Sequence, residues 1–337
     1  MRAFETAPAD VQELLNKPIS ELGLQLETSP LQRMIQQLYR ELERKGLKHF
    51  QPRCYLTDEW GCPDGEPVIG IPFYLADPKL ERLEKEMNDL EDARQVMMYL
   101  RHEAGHAFNY AYELYKTAEW REVFGNFHRA YRDNYRPVPF SRSFVRHMEG
   151  WYAQKHPDED FAETFAVWLT PNSRWRKKYR GWPAMRKLRY MDRIARRVAD
   201  TPPKRATGQT DVTASEMNVT LGEFYQRAGA EELPWSALAL DTDLVDIFSV
   251  SKKRRKGVRP AAEWMSDNRK TLIDKITYWS GVQRPIIKKL VEGIQARVGE
   301  LGLKMDTKCE KETLAEFAVY ATALCMNYLL RGKFVQP

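Results

Sequence analysis

The sequence predicts an α+β domain with a small sheet and a central helix, followed by a mainly α-helical C-terminal domain. Three observations predict it. Short apolar runs on either side of a Trp-Gly turn lie between Phe50 and Leu75, apolar residues recur at helical spacing elsewhere, and a polar stretch from Asp200 to Ser215 separates two halves of different character. A chain of 337 residues also suits two packed units, because domains usually hold roughly 100–200 residues.

In chain order, residues 9–46 read as helix, since Leu31, Met34, Ile35, Leu38, Tyr39 and Leu42 repeat every three or four positions before Gly46 ends the run. Residues 1–48 are thus expected as an N-terminal helical segment. Arg53 to Leu56 and Val68 to Leu75 read as strands around Trp60-Gly61-Cys62-Pro63-Asp64-Gly65, with Pro72 placing the second strand at an edge or a bulge. Lys79 to Tyr115 is helical, as one bent helix or two. Pro137 and Pro139 mark a loop, and residues 159–169 form a further helix introduced by Pro157-Asp158, with Asp158 the expected N-cap. The sheet and these helices make a domain over 49–199, residues 200–215 read as a linker, and 216–337 read as a helical C-terminal domain without a catalytic motif.

Composition bounds the class. Hydrophobic residues at 43% supply a core, while 30% charged residues and a mean hydropathy of −0.61 give a solvated surface, so a soluble globular protein is expected. No run approaches the roughly 20 apolar residues of a membrane span, and Met1 to Asp10 lacks the layout of a signal peptide; a cytoplasmic location and no membrane partner follow as expectations. Cys54, Cys62, Cys309 and Cys325 are scattered without a C-x-x-C pair and read as ordinary reduced thiols. The net charge of +6 is clustered, in Arg174-Trp175-Arg176-Lys177-Lys178-Tyr179-Arg180 and in Lys252-Lys253-Arg254-Arg255-Lys256. Solvated helix faces and loops give such composition more often than nucleic-acid contacts do, so nucleic acid stands as the minor reading of both clusters.

The chemistry lies in Tyr99 to Asn109, which holds His102-Glu103-Ala104-Gly105-His106 on an expected helix. Positions i and i+4 lie one turn apart on one face, so both imidazoles can reach one metal ion with Glu103 beside it. That suits zinc and an activated water, with Glu103 as general base. Chance alone yields this five-residue pattern in on the order of one chain in a hundred, so a third ligand on a second helix is the deciding feature. Glu159 and Glu163, four apart and beside Phe161, Phe165 and Trp168, meet that requirement. The helix dipole accounts for Asp158 and Asp160, and poorly for a Glu deeper in the helix.

His102-Glu103-x-x-His106 followed by Glu159-x-x-x-Glu163 resembles the gluzincin pattern of zinc metallopeptidases. Tyr152, seven residues before Glu159, matches the spacing of the active-site tyrosine in the catalytic domain of anthrax lethal factor. The segment is also similar to bacterial zinc-binding metallopeptidases that carry a like E-D-[FW]-A-E-T run. The resemblance covers residues 50 to 170. It implies a zincin-like domain in which His102, His106 and Glu159 bind one Zn2+ ion, Glu103 is the base, Tyr152 donates to the oxyanion, and Glu163 orients His102, with a peptide or protein as substrate. The chain departs from thermolysin in having Glu163 where Asp is usual and in lacking the Asn before the ligand. His156 is an alternative ligand or substrate contact, whereas His49, His128 and His147 are read as surface or core residues. The competing reading is a zinc-binding regulatory or partner-binding protein without peptidase activity, or one associated with nucleic acid.

Overall fold

Proline and capping chemistry set the elements that carry the site. The computed structural model describes residues 8–87, 90–131, 135, 137–228, 240–248 and 257–331. These form two units: Met1–Tyr135 with Phe140–Met148 and Tyr152–Ala230, and Arg136–Pro139 with Glu149–Trp151 and Glu231–Pro337.

In the first unit, the N-terminal region expected as one helix is broken. It gives α1 (Ala9–Leu15), a 3-10 turn (Ile19–Leu22) and α2 (Leu31–Arg44). Pro18 and Pro30 sit at the breaks, where the missing N–H and the ring's clash with the preceding turn stop a continuous helix. α2 buries Leu31, Ile35, Leu38 and Leu42.

The strands β1 (Arg53–Thr57) and β2 (Val68–Pro72) pair in parallel, in the register Arg53↔Val68 to Thr57↔Pro72. The connection folds back along the other edge of β2, where Gly70 N–H donates to Gly61 C=O at 2.7 Å and Gly61 N–H to Gly70 C=O at 3.3 Å. β2 is therefore flanked on both sides at Gly70. Pro72 is tolerated because it is the last residue of the strand, ahead of a 3-10 turn (Phe73–Ala76).

After α3 (Pro78–Met87) comes α4 (Ala93–Ala111), started by a capping box in which Asp92 accepts from the Arg94 and Gln95 N–H groups and Gln95 returns a bond to Asp92 N–H. α5 (Ala118–Phe124) follows, then α6 (Pro157–Leu169), whose thirteen residues are all buried. α4 and α6 touch at Gly105: a Cβ there would lie 2.7 Å from Ala162 Cα and 2.9 Å from Ala162 O. Arg101 on α4 forms a two-pronged ion pair with the buried Glu41 of α2 at 2.7 and 2.8 Å, which fixes α4 from its other side.

The chain continues through α7 (Trp175–Lys178) and α8 (Met185–Val198), which turns Leu188, Tyr190, Met191, Ile194 and Ala195 inward. Residues 200–215, read from composition as a linker, lie against this unit. Arg205 pairs with Glu66 at 2.8 Å, Thr57 Oγ1 donates to Val212 C=O at 2.9 Å, and Asp211 N–H donates to Tyr55 Oη at 3.2 Å. α9 (Leu221–Ala228) closes the unit, with Ile19 N–H bonded to Val219 C=O at 3.0 Å.

The second unit holds α10 (Asp241–Ile247), α11 (Ala261–Ser280), α12 (Arg284–Glu300) and α13 (Glu310–Arg331), with a short antiparallel pair, β3 (Val258–Pro260) and β4 (Lys304–Asp306). Its separate core is built on Trp264, Ile276, Leu290, Ile294, Phe317 and Leu324. The basic run Lys252 to Lys256 lies outside the described residues. Among the described residues no helix is long and apolar enough to cross a membrane, and the four cysteines are unbonded.

Candidate metal centre

The helical period of α4 puts His102 and His106 one turn apart, and the close approach at Gly105 brings α6 within reach of both rings. His102 Nε2 and His106 Nε2 lie 3.2 Å apart. Glu159 Oε2 lies 2.9 Å from the first and 3.2 Å from the second. All three residues are buried, and together they form the group able to hold a metal ion among the described residues.

The donor set fits a zinc ion. The far nitrogen of each ring faces a carboxylate: His102 Nδ1 is 3.2 Å from Glu163 Oε1, and His106 Nδ1 is 2.7 Å from Asp158 Oδ2. A carboxylate only accepts, so each Nδ1 carries a hydrogen, and the neutral ring that a metal requires then turns its Nε2 lone pair toward Glu159. Three lone pairs that meet at about 3 Å repel one another unless a cation, or protons on the rings, sit among them. Zinc bonds of about 2.0–2.1 Å in a tetrahedron place ligands roughly 3.3 Å apart, close to the spacing here.

The two backing carboxylates are themselves held. Glu163 is fully buried and accepts from the backbone N–H groups of His147, at 2.9 Å, and Met148, at 3.0 and 3.1 Å. Asp158 accepts from Asn109 Nδ2 at 2.7 Å and from Tyr110 Oη at 2.5 Å. It is not the N-cap of α6. That position belongs to His156, whose Nδ1 accepts the Asp158 N–H at 3.2 Å, while its Nε2 meets Arg129 C=O at 2.8 Å. Both ring nitrogens of His156 are thus engaged away from the cluster, and the residue weighed as an alternative ligand serves the helix start instead.

Burial and charge oppose each other throughout. Burial would lower the His102 ring, but Glu159 and Glu163 outweigh it and lift the ring to about 9; His106 is raised likewise by Asp158 and Glu159. Burial would raise Glu159, yet His106 and His102 hold its carboxyl at about 2. Protons on the two rings compete with a cation for the same lone pairs. Glu103 has its pKa raised by burial, an effect that His102 and His106 partly offset. Burial and the Glu103 charge push the Tyr152 hydroxyl up to about 12, so it remains a donor at neutral pH.

Glu103 and Tyr152 both line a cavity of about 660 Å³ that also exposes His102, His106 and Glu159. Tyr152 sets its ring edge-on to His102, at 5.6 Å between centroids. Trp60 and Tyr99 stack at 5.4 Å in one wall, and Tyr131 lies against His156 at 4.9 Å in another. His128, read from sequence as surface or core, lines this cavity too. Asn109 and Tyr110, and the role of Asp158 behind His106, escaped the sequence analysis. The available signal was the face of α4 itself: Asn109 and Tyr110 follow His106 at i+3 and i+4 and so continue the ligand stripe.

No curated protein and no solved structure matches the chain. Residues 64–175, a stretch that holds the whole cluster and both carboxylates behind it, match the model of a family described as "Putative zinc-binding metallo-peptidase".

Proposed function

We propose that the chain is a zinc-dependent peptide hydrolase of the gluzincin type, with a zincin-like catalytic domain over residues 49–199. His102, His106 and Glu159 hold one zinc ion. The observation that carries the reading is the meeting of His102 Nε2, His106 Nε2 and Glu159 Oε2 at 2.9–3.2 Å in the wall of an open cavity, with each ring backed by a buried carboxylate. The match of residues 64–175 supports it. A purely structural zinc site closes all four positions with protein ligands, whereas three ligands facing a cavity leave room for water and substrate.

Zinc bound there supplies Lewis acidity, polarising a carbonyl oxygen and lowering the pKa of water to about 7. Glu103 takes a proton from water as the water oxygen bonds to the substrate carbonyl carbon. Its raised pKa suits a group that must accept that proton and then release it to the leaving amine nitrogen as the C–N bond breaks. Tyr152, still protonated, donates a hydrogen bond to the carbonyl oxygen as negative charge builds on it. Glu163 and Asp158 hold the two imidazoles in the tautomer that leaves Nε2 free.

The test is metal analysis combined with a peptide-library cleavage screen. The purified protein should carry close to one equivalent of zinc, and His102→Ala or His106→Ala should remove it. Glu103→Gln should keep zinc and lose cleavage by about 100 to 10,000-fold, and Tyr152→Phe should keep zinc and lose about 100 to 1000-fold. Full metal occupancy in both histidine variants, or unchanged turnover in Glu103→Gln, would sink the reading.

A further inference from the structure

Charge is distributed very unevenly along this chain. Between Arg174 and Arg197 there are eleven Lys and Arg residues and one acid, Asp192. Ten of the eleven are exposed, on α7 and its N-cap, on α8 and in the turn between them; Lys187 is the exception, paired with the buried Asp160 at 2.6 Å. Among the described residues three carboxylates answer these ten. Asp192 pairs with Arg176 and Arg196, Glu119 with Arg193 and Arg197, and Glu122 with Arg186. Arg174, Lys177, Lys178, Arg180 and Arg189 have no carboxylate partner among the described residues.

Six of these cations share one surface. Arg186, Arg189, Arg193 and Arg197 recur every three or four residues along α8, on the face opposite its buried Leu188, Met191 and Ile194. At about 1.5 Å per residue the row runs for roughly 16 Å. Beside it, Arg176, Arg180, Arg189 and Arg193 line a cleft of about 460 Å³ floored by the buried Trp175.

We infer that this surface binds the phosphodiester backbone of duplex nucleic acid without regard to sequence. The inference is independent of the peptidase reading. Eight of the ten exposed cations are Arg, whose planar fork matches phosphate oxygens two at a time. Over roughly 16 Å a duplex presents on the order of ten phosphate charges. An anionic bilayer fits less well, because an interfacial helix buries apolar side chains in the lipid and no large hydrophobic residue between 174 and 197 is exposed. An acidic protein fits less well for the same reason, since protein interfaces carry an apolar centre. Trp175 is buried and offers no platform for unstacked bases, which favours duplex over single strand.

The test uses the full chain and a labelled 20-base-pair DNA duplex, titrated from 50 to 200 mM salt. Neutralising four or five phosphates should give a slope of log K against log salt near about −4. Lys177→Glu/Lys178→Glu/Arg180→Glu/Arg189→Glu should weaken binding at 100 mM salt by about 100-fold or more, with metal content and thermal midpoint as controls for folding. Should four reversals unfold the chain, Arg180→Gln and Arg189→Gln, made singly, should each lower the slope by about 1. Three results would overturn the inference: no duplex retained at 50 mM salt, retention unchanged in these variants but lost on neutralising Lys252 to Lys256, or tighter retention of polyglutamate or phosphatidylserine vesicles than of the duplex.

Discussion

Asp158 occupies the first turn of α6, where a carboxylate ordinarily serves the exposed N–H groups and the positive end of the helix dipole. His156 does the capping, which leaves Asp158 to face His106, Asn109 and Tyr110. The pairing of His102 with His106 was legible because i, i+4 spacing on a helix is a geometric fact that sequence carries, whereas Glu159, on a second helix, was singled out by the resemblance. What Asp158 does was not, because a carboxylate at a helix start looks the same whether it caps its own helix or reaches across to another. The two backing carboxylates and the proposed ligand, Glu159, should separate in a chelator-competition titration. Glu159→Ala should empty the site, while Glu163→Ala and Asp158→Asn should each weaken zinc binding by about 10 to 100-fold, the size of losing an outer partner of a ligand. Retention by Glu159→Ala alongside loss in Glu163→Ala would exchange their roles.

At the scale of elements, apolar runs disclosed β1 and β2 but not that they run parallel. That depends on where the connection travels, and residues 58–67 fold back to bond Gly61 to Gly70 rather than closing a hairpin. The break between α1 and α2 was readable from Pro18 and Pro30, but the helix marked by the apolar repeat from Leu31 to Leu42 was extended back over both. The pairing of α4 with α6 rests on Gly105, where an added methyl would strike the Ala162 backbone at 2.7 Å. Backbone cannot swing aside as a side chain can. In Gly105→Ala the gain in helix propensity of up to about 1 kcal/mol should therefore be outweighed by an overpacking cost of typically 1–3 kcal/mol. A lower urea midpoint together with weaker zinc binding is the expected result. A more stable variant with unchanged metal affinity would show that the two helices do not depend on that contact.

For the whole molecule, the described residues hold two separate cores, while the charge pattern becomes informative only when folded. The net charge is +6, yet the stretch from Arg174 to Arg197 alone carries +10, so the other residues together carry −4. The stretch is a dense patch of positive charge that is mostly guanidinium and keeps its charge at any pH a folded chain survives. Its isoelectric point, near 8.9, consequently describes an average that no charged surface would sense. A uniformly charged particle stops binding an ion exchanger at its isoelectric pH, but this chain should still be held by a sulfonate column at pH 8.9, turned so that this patch meets the resin. Arg180→Gln/Arg189→Gln should elute at distinctly lower salt than Arg33→Gln/Arg53→Gln, a pair of exposed arginines of equal charge from α2 and β1; identical elution of the two would mean that the patch does not govern how the protein meets a charged surface.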